Sequence, residues 1–194
     1  MYTLLLDSSL DYLSIGISKD NKIIDSISYE AWQKQSELMV YELDKILSRN
    51  NLTADDINLI AVTIGPGSYT GIRIALTIAK IFSLSKNIPI IPISSLQALS
   101  KKDKYSICVI NARSNRSYFA VYYNEQIIVN DCVIKNDELL TYINEHKDYV
   151  LCGDTNYLNI VNNNIEILQE MNRIKDYITP INNPDLIKPV YLKD

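Results

Sequence analysis

Three short apolar runs open the chain, at residues 2–6, 12–18 and 22–29, and turns rich in Asp, Asn and Ser separate them. Runs of this length and composition predict an antiparallel β-meander. Over residues 33–48 the apolar positions change to a helical period. A nearly continuous apolar run at 57–64 then predicts a strand that is buried on both faces.

The first half of the chain continues with further α/β elements, and the second half, from residue 105, repeats the opening strands. A glycine-containing loop at 65–71 leads into a predicted helix and a short strand, at 71–86 and 89–93. Further strands are predicted at 105–110, 117–123, 126–134 and 149–152. Helices are predicted at 137–146 and 156–170, and the proline-punctuated tail at 180–194 is predicted to be extended.

A meander followed by α/β units, occurring twice, indicates the α/β class and two similar lobes. The order fits the duplicated ribonuclease H-like fold of actin, sugar kinases and Hsp70. We therefore expect a mixed five-stranded sheet in each lobe, with the first lobe at residues 1–100 and a smaller second lobe at 101–194.

Composition narrows the class of protein. Of 194 residues, 47% are hydrophobic and 22% charged, which is typical of a folded globular chain. The net charge is −4 and the basic residues are scattered, so strong nucleic-acid binding by this chain alone is not expected. Cys108, Cys132 and Cys152 lack metal or redox spacing and are predicted to be reduced thiols, the first and last of them in the core.

No membrane segment or secretory signal is predicted. The apolar stretch at 72–84 contains Arg73 and Lys80, and it is too short and too charged to span a bilayer. The first residues lack a basic region followed by a long apolar stretch. We therefore expect a cytoplasmic protein.

Glycine is concentrated in the loop at residues 65–71. The chain has five glycines, and three of them are Gly65, Gly67 and Gly71. Two interpretations remain open: a structural turn, with Ser68 or Thr70 capping the following helix, or a loop that holds an anion at a helix N-terminus. The Gly-Lys-Ser/Thr ending of a phosphate-binding Walker loop is absent.

The helix that follows has an unusually wide apolar arc of about 220°. Its bulky part is predicted to face the lobe's own sheet (Ile74, Ile78, Ile81 and Phe82). Its small part is predicted to let a second helix approach closely (Ala75, Ala79 and Ser83). That second helix is either the one at 33–48 or one from a partner chain, and a helix enclosed within its own lobe is the alternative.

Residues 65–74 read GPGSYTGIRI, which resembles the signature of the TsaB (YeaZ) family. Shorter segments support the resemblance, which is strong over 1–123 and at the C-terminal end and vague over 124–185. These segments are Asp7-Ser8-Ser9, Ser36-Glu37-Leu38, residues 92–99, Ala112-Arg113, Ser117-Tyr118 and residues 189–194.

The resemblance implies an actin-like fold and a non-catalytic subunit in the synthesis of threonylcarbamoyladenosine at position 37 of tRNA. It implies a heterodimer with TsaD, the catalytic paralogue, and an assembly with the ATPase TsaE. A homodimer is expected when the chain is alone, and tRNA is expected to be contacted only through the complex. The expected partner-binding residues lie on the first-lobe helices: Trp32, Ser36, Met39, Val40, Leu43, Ile72, Arg73, Ala75, Leu76, Ala79 and Lys80.

No catalytic residue, metal site or cofactor is predicted. The catalytic relatives hold a metal with an H-x-x-x-H pair. In this chain Gln35 occupies the position where family members carry His, and a neutral amide does not replace an imidazole ligand. Asn111 occupies a position where many relatives carry Asp. The one histidine, His146, is predicted to be a solvated helix-end residue. Asp7, Ser8 and Ser9 form either a vestigial phosphate loop or a strand-end turn.

Three hypotheses follow. The first is a scaffold that activates a TsaD-type subunit. The second is an actin-fold ATPase or small-molecule kinase that uses Asp7 and the loop Gly65-Pro66-Gly67-Ser68-Tyr69-Thr70-Gly71. The third is a homodimeric interaction protein without a TsaD partner.

Overall fold

The computed structural model describes residues 1–31, 34–161 and 166–192, in which the strands form two mixed sheets. The first sheet has the order β3-β2-β1-β4-β5. Strands β1 to β3 form the predicted antiparallel meander, and β4 and β5 run parallel to β1. Its strands are β1 (Tyr2–Asp7), β2 (Tyr12–Lys19), β3 (Lys22–Glu30), β4 (Ile57–Thr63) and β5 (Ile90–Ile93).

Helices α1 (Gln35–Arg49) and α2 (Tyr69–Lys86) pack together on one face of this sheet. Successive residues of β1 alternate between two cores: Leu4 and Leu6 join the core under α1 and α2, and Leu5 joins the core on the other face. Strand β4 alternates in the same way. These central strands are therefore buried on both faces, as their continuous apolar runs predict.

The second sheet has four described strands, in the order β8-β7-β6-β9, where the sequence pattern led us to expect five. Helix α3 (Asn136–Glu145) packs on one of its faces, and the other face turns toward the first lobe. The shorter sheet follows from the chain after β9, which turns back to the first lobe. The strands are β6 (Tyr105–Arg113), β7 (Arg116–Tyr123), β8 (Gln126–Lys135) and β9 (Val150–Gly153).

The predicted helix at 156–170 is wrong over residues 156–161, and residues 162–165 lie outside the described part of the chain. Residues 156–158 form a single 3₁₀ turn that ends at Asn159 in the left-handed region (φ 57°), and the helix α4 spans Ile167–Ile174. Asparagine favours such turns because its side chain competes for backbone hydrogen bonds.

Helix α4 and the tail pack on the first sheet, although the sequence pattern places them in a second lobe that begins at residue 101. Leu168, Met171 and Ile174 of α4 share one core with Leu5 of β1 and Cys108 of β6. The tail, which follows α4, also packs on the first lobe. Ile181 forms a β-bridge with Ile90, and Ile187 is buried in the core of the first lobe. Residues 166–192 therefore pack in large part against the sheet formed by residues 2–93.

Cys108 and Cys152 are free buried thiols, as predicted, and Cys132 is half-buried. No helix in the described part of the chain is long and apolar enough to cross a membrane.

Candidate functional site

The loop at 65–71 connects β4 to α2 and determines where α2 begins. The helix starts at Tyr69, two residues before the predicted start, and Ser68 is its N-cap, with Oγ accepting a hydrogen bond from the Gly71 backbone N–H at 3.2 Å. A serine at this position satisfies one of the unpaired N–H groups of the first turn. The capping role expected for Ser68 or Thr70 therefore belongs to Ser68.

The glycines of the loop make room for backbone carbonyl groups of other segments. A Cβ atom added to Gly67 would lie 2.2 Å from the Ser9 carbonyl oxygen, and one added to Gly71 would lie 1.8 Å from that of Ser8. At Gly65 it would lie 2.5 Å from the carbonyl oxygen of Val190 in the tail. These contacts explain the glycines by close backbone approach, which favours the structural-turn interpretation.

The turn after β1 and the loop form one hydrogen-bonded unit. The Ser8 hydroxyl donates to the Gly71 carbonyl at 2.7 Å, and the Ser68 backbone N–H donates to the Ser9 carbonyl at 2.7 Å. Asp7, Ser8 and Ser9 are all buried. In a phosphate-binding loop, such hydroxyl and N–H groups donate hydrogen bonds to the ligand. Here the hydroxyls of Ser8 and Ser9 and the backbone N–H of Ser68 donate to other groups of the protein.

Asp7 is the carboxylate of this unit, and its side chain is buried. Its Oδ1 accepts hydrogen bonds from the Ser9 backbone N–H (3.1 Å), the Ser9 hydroxyl (2.6 Å) and the Thr63 hydroxyl (2.6 Å). Burial raises the pKa of Asp7 above its ordinary value of 3.8, and the hydrogen bonds from Ser9 and Thr63 oppose that rise. Asp7 therefore joins the ends of β1 and β4.

A cleft of about 1460 Å³ separates the two lobes beside this unit. Its described lining includes four carboxylates and a single cation, Arg113. Burial raises the pKa of Asp154, and the nearby Asp11 carboxylate raises it further. A cleft with this charge repels phosphate groups unless a cation accompanies them. The four acidic residues are Asp7, Asp11, Asp154 and Glu166.

Gln35 and Asn111, the two amide residues considered in the sequence, both line the cleft. Gln35 is buried at the start of α1, and Asn111 uses its Oδ1 to accept a hydrogen bond from the Arg113 backbone N–H at 2.8 Å. His146 lies in the other lobe at the end of α3. It is half-buried and stacked on Tyr142, with ring centroids 4.1 Å apart, so the expectation of a solvated histidine is wrong. Within the described ranges, no group of three or more His, Cys, Asp or Glu side chains is arranged to hold a metal ion.

The residues expected at a partner interface fall into two groups. Most of them are buried in the core of the first lobe, and Ala75 and Ala79 have no exposed surface. Ser36, Val40 and Arg73 are exposed, Lys80 is half-buried, and Trp32 lies outside the described residues. The buried members are Met39, Leu43, Ile72, Ala75, Leu76 and Ala79.

The expected orientation of α2 is wrong in part, because Ala75 and Ala79 are the residues buried deepest, whereas Ile74, Ile78 and Phe82 pack at the margin of the same core and Ile81 is exposed. Ala75 and Ala79 lie in the same core as Leu4, Val62 and Met39. Small side chains let α2 pack close to both the sheet and α1, as the predicted contact with the helix at 33–48 requires. Ile81 is therefore exposed, with 59% of its surface accessible, and Ile74, Ile78 and Phe82 are only half-buried.

These residues form an apolar strip on the outer face of the two helices, which we call the apolar ridge (Val40, Ile74, Ile78 and Ile81). Ser36 and Ile74 both line the cleft, and helices α1 and α2 contact each other. Val40 and Ile78 follow one turn later on each helix. Val40 is 60% exposed. Sequence reasoning included Val40 but assigned the three isoleucines to the sheet side, because periodicity alone does not reveal which side of a wide apolar arc is covered.

Sequence reasoning also missed the contribution of the tail. Tyr191 stacks on Tyr69 of the loop, with ring centroids 5.2 Å apart and an angle of 26° between the rings. The Val190 backbone N–H donates to the Ile64 carbonyl at 2.7 Å. The only available signal was the resemblance of residues 189–194 to the family's C-terminal segment, of which residues 193 and 194 lie outside the described part.

Comparison with known proteins agrees with this architecture. A family model described as "TsaD: tRNA N6-adenosine threonylcarbamoyltransferase" matches residues 29–170. The chain is 30% identical to the tRNA threonylcarbamoyladenosine biosynthesis protein TsaB of Buchnera aphidicola subsp. Acyrthosiphon pisum, over 98% of the chain and 88% of that protein. It is 31% identical to the uncharacterized protein MG208 of Mycoplasma genitalium, over 100% of the chain and 95% of that protein.

Among solved structures, YeaZ from Pseudomonas aeruginosa matches 98% of the chain and 99% of its own length, with a TM-score of 0.80 and 16% sequence identity. At that identity the match supports the shared fold, which agrees with the two mixed sheets described above.

Proposed function

This chain belongs to the TsaB (YeaZ) family of the actin-like superfamily, and from that premise we propose that it is the non-catalytic scaffold subunit of tRNA threonylcarbamoyladenosine synthesis. In this proposal it binds and activates a TsaD-type catalytic subunit, together with a TsaE-type ATPase. Its relatives support a role in the biosynthesis of this modified nucleoside.

The observation that carries the proposal is the apolar ridge. Exposed apolar residues scattered singly are ordinary, but several on the outer face of two packed helices indicate an interaction surface. Burying an exposed aliphatic side chain of this size stabilises a complex by about 1.5–3 kcal/mol. The ridge is therefore the surface on which we expect the paired helices of a paralogous subunit to pack.

The ridge can be tested by introducing charges at its exposed positions. Val40→Glu and Ile81→Glu are expected to leave the fold intact and to weaken binding to the TsaD-type protein of the same organism at least tenfold, since a buried unpaired carboxylate costs more than 1.4 kcal/mol. Light scattering of the mixed proteins measures the loss of the complex. Ile128→Glu is the matched control, because Ile128 is 45% exposed on β8 in the second lobe.

A charge at Ala75 or Ala79 cannot serve this purpose, since both are fully buried and the substitution would unfold the lobe. The proposal is contradicted if no complex forms with or without nucleotide, or if both ridge variants bind as tightly as the unchanged protein. A homodimer of the isolated chain is expected to use the same ridge and to be broken by the same two substitutions.

The alternative function is an actin-fold ATPase or small-molecule kinase that uses Asp7 and the loop at 65–71. The size of the cleft favours it. The acidic lining counts against it, as does the engagement of Ser8, Ser9 and Ser68 in internal hydrogen bonds. Calorimetry of the isolated chain with Mg-ATP separates the two: tight binding that is lost in Asp7→Ala would favour the enzyme.

We propose that tRNA contacts this chain only indirectly, through the complex, because the net charge of −4 disfavours direct phosphate binding. The expected place of action is the cytoplasm.

A further inference from the structure

A second surface lies on the opposite flank of α2, where the returning tail runs beside the helix. The two segments enclose a groove of about 340 Å³. Its lining comes from α2 on one side and from the tail on the other: Arg73, Leu76, Thr77, Lys80, Pro189 and Tyr191.

The tail wall of the groove is held in place by the fold. The Val190 backbone N–H donates to the Ile64 carbonyl at 2.7 Å, and Ile187 is buried in the core. The Tyr191 ring stacks on Tyr69. Residues on both sides of Pro189 are thus fixed, so the groove has a defined shape before any ligand arrives.

Two cations line this groove, Arg73 near Tyr191 and Lys80 two helical turns farther along α2. The Arg73 guanidinium lies 5.1 Å from the centre of the Tyr69 ring and donates to the Tyr69 hydroxyl. Within the described residues neither cation forms an ion pair with an acidic side chain. The described lining of the groove contains no acidic residue, although the net charge of the chain is −4.

The groove is separate from the apolar ridge. At 100° per residue, Arg73 and Lys80 lie about 120° around α2 from Ile74, Ile78 and Ile81. A partner helix on the ridge therefore leaves the groove open. The groove offers other side chains than the ridge and a different kind of contact, so a ligand there is independent of the proposed scaffold role.

We propose that this groove binds an extended acidic segment of a partner protein, with two carboxylates three residues apart. Arg73 and Lys80 are seven residues apart on a helix, which is about 10.5 Å along its axis. In an extended segment of polyproline II type, which has three residues per turn, side chains three residues apart lie on one face and about 9.3 Å apart. One carboxylate then pairs with Arg73 and the other with Lys80, and an aliphatic side chain between them contacts Leu76 and Pro189.

The observations favour a protein segment over RNA. Two cations neutralise few phosphates, and binding of a nucleic-acid backbone depends on many such contacts. The groove also has apolar residues between its two charged ends, which suits a peptide with an aliphatic residue between its acids.

The test is a titration of the full isotope-labelled chain with the peptide acetyl-GELSEG-amide, followed by amide chemical shifts. Shifts are expected around Arg73, Lys80 and Tyr191. Lys80→Gln is expected to weaken binding about threefold, which is the usual size of one exposed ion pair. Lys102→Gln, which removes an exposed charge from the second lobe, is the matched control and is expected to change nothing.

Three results would overturn the proposal. One is the absence of shifts at about 10 mM peptide, which corresponds to negligible affinity. Another is equal binding of the uncharged peptide acetyl-GQLSQG-amide, or equal weakening by Lys102→Gln. The third is a single-stranded oligouridylate that shifts the same amides at lower concentration than the peptide, which would assign the groove to RNA.

Discussion

Gly71 shows how much of this structure depends on one missing methyl group. It lies in the first turn of α2, where alanine is ordinarily the better residue by about 1 kcal/mol. Its φ is not in the left-handed region, so backbone strain does not explain the glycine. The reason is the Ser8 carbonyl, 1.8 Å from the place of an added Cβ.

Gly71→Ala is therefore expected to destabilise the protein by about 2–4 kcal/mol, because the turn after β1 must move away from α2. Denaturant unfolding at equilibrium measures the change. Thr77→Ala is the control, since Thr77 is exposed on the same helix and alanine there is expected to be neutral or slightly stabilising. A Gly71→Ala protein as stable as the unchanged one would show that the close approach is not required.

At the scale of elements, α2 and the tail are the segments whose roles differ most from their sequence patterns. Helix α2 buries its alanines and leaves Ile74 and Ile78 half-buried and Ile81 exposed. The tail, with the short 3₁₀ turn at Pro184–Leu186, covers the edge of the first lobe. Adjacent residues of that tail have opposite environments: Leu186 is 71% exposed and Ile187 only 3%.

Ile187→Ala is expected to destabilise the protein by about 2–4 kcal/mol, because it leaves a cavity in the core shared by α1, α2 and the first sheet. Leu186→Ala is expected to change the free energy of unfolding by less than about 0.5 kcal/mol. Thermal or denaturant unfolding compares the two. Equal effects would mean that the tail is not part of the core of the first lobe.

At the scale of the whole molecule, α4 makes the two lobes depend on each other. It covers the face of the first sheet that α1 and α2 do not cover, and it contacts the second sheet through the same core. Just after it, the fully buried Lys175 donates from Nζ to Asn21 Oδ1 at 2.7 Å, which ties this segment to the turn between β2 and β3.

A fragment of residues 1–100 is therefore not expected to fold alone. Without α4 it would expose Leu5, Leu59 and Ile91 among others, and each buried aliphatic side chain contributes about 1.5–3 kcal/mol. The total approaches the 5–15 kcal/mol that stabilises a typical domain. Amide NMR spectra test this: we expect poor dispersion for the fragment and recovery on adding residues 101–194. A well-dispersed spectrum of the fragment alone would contradict the expectation.

The alternation of apolar residues along the chain determined the strands, α1 to α3 and the α/β class, because backbone geometry imposes periods of 2 and 3.6 on any buried face. The signature at 65–74 determined the family. Tertiary structure decided which side of α2 is buried, since its apolar arc is wider than one covered face requires. It also decided the return of α4 and the tail to the first lobe and the backbone contacts of Gly65, Gly67 and Gly71. Those features join residues far apart in the chain, and a local pattern carries no information about a distant partner.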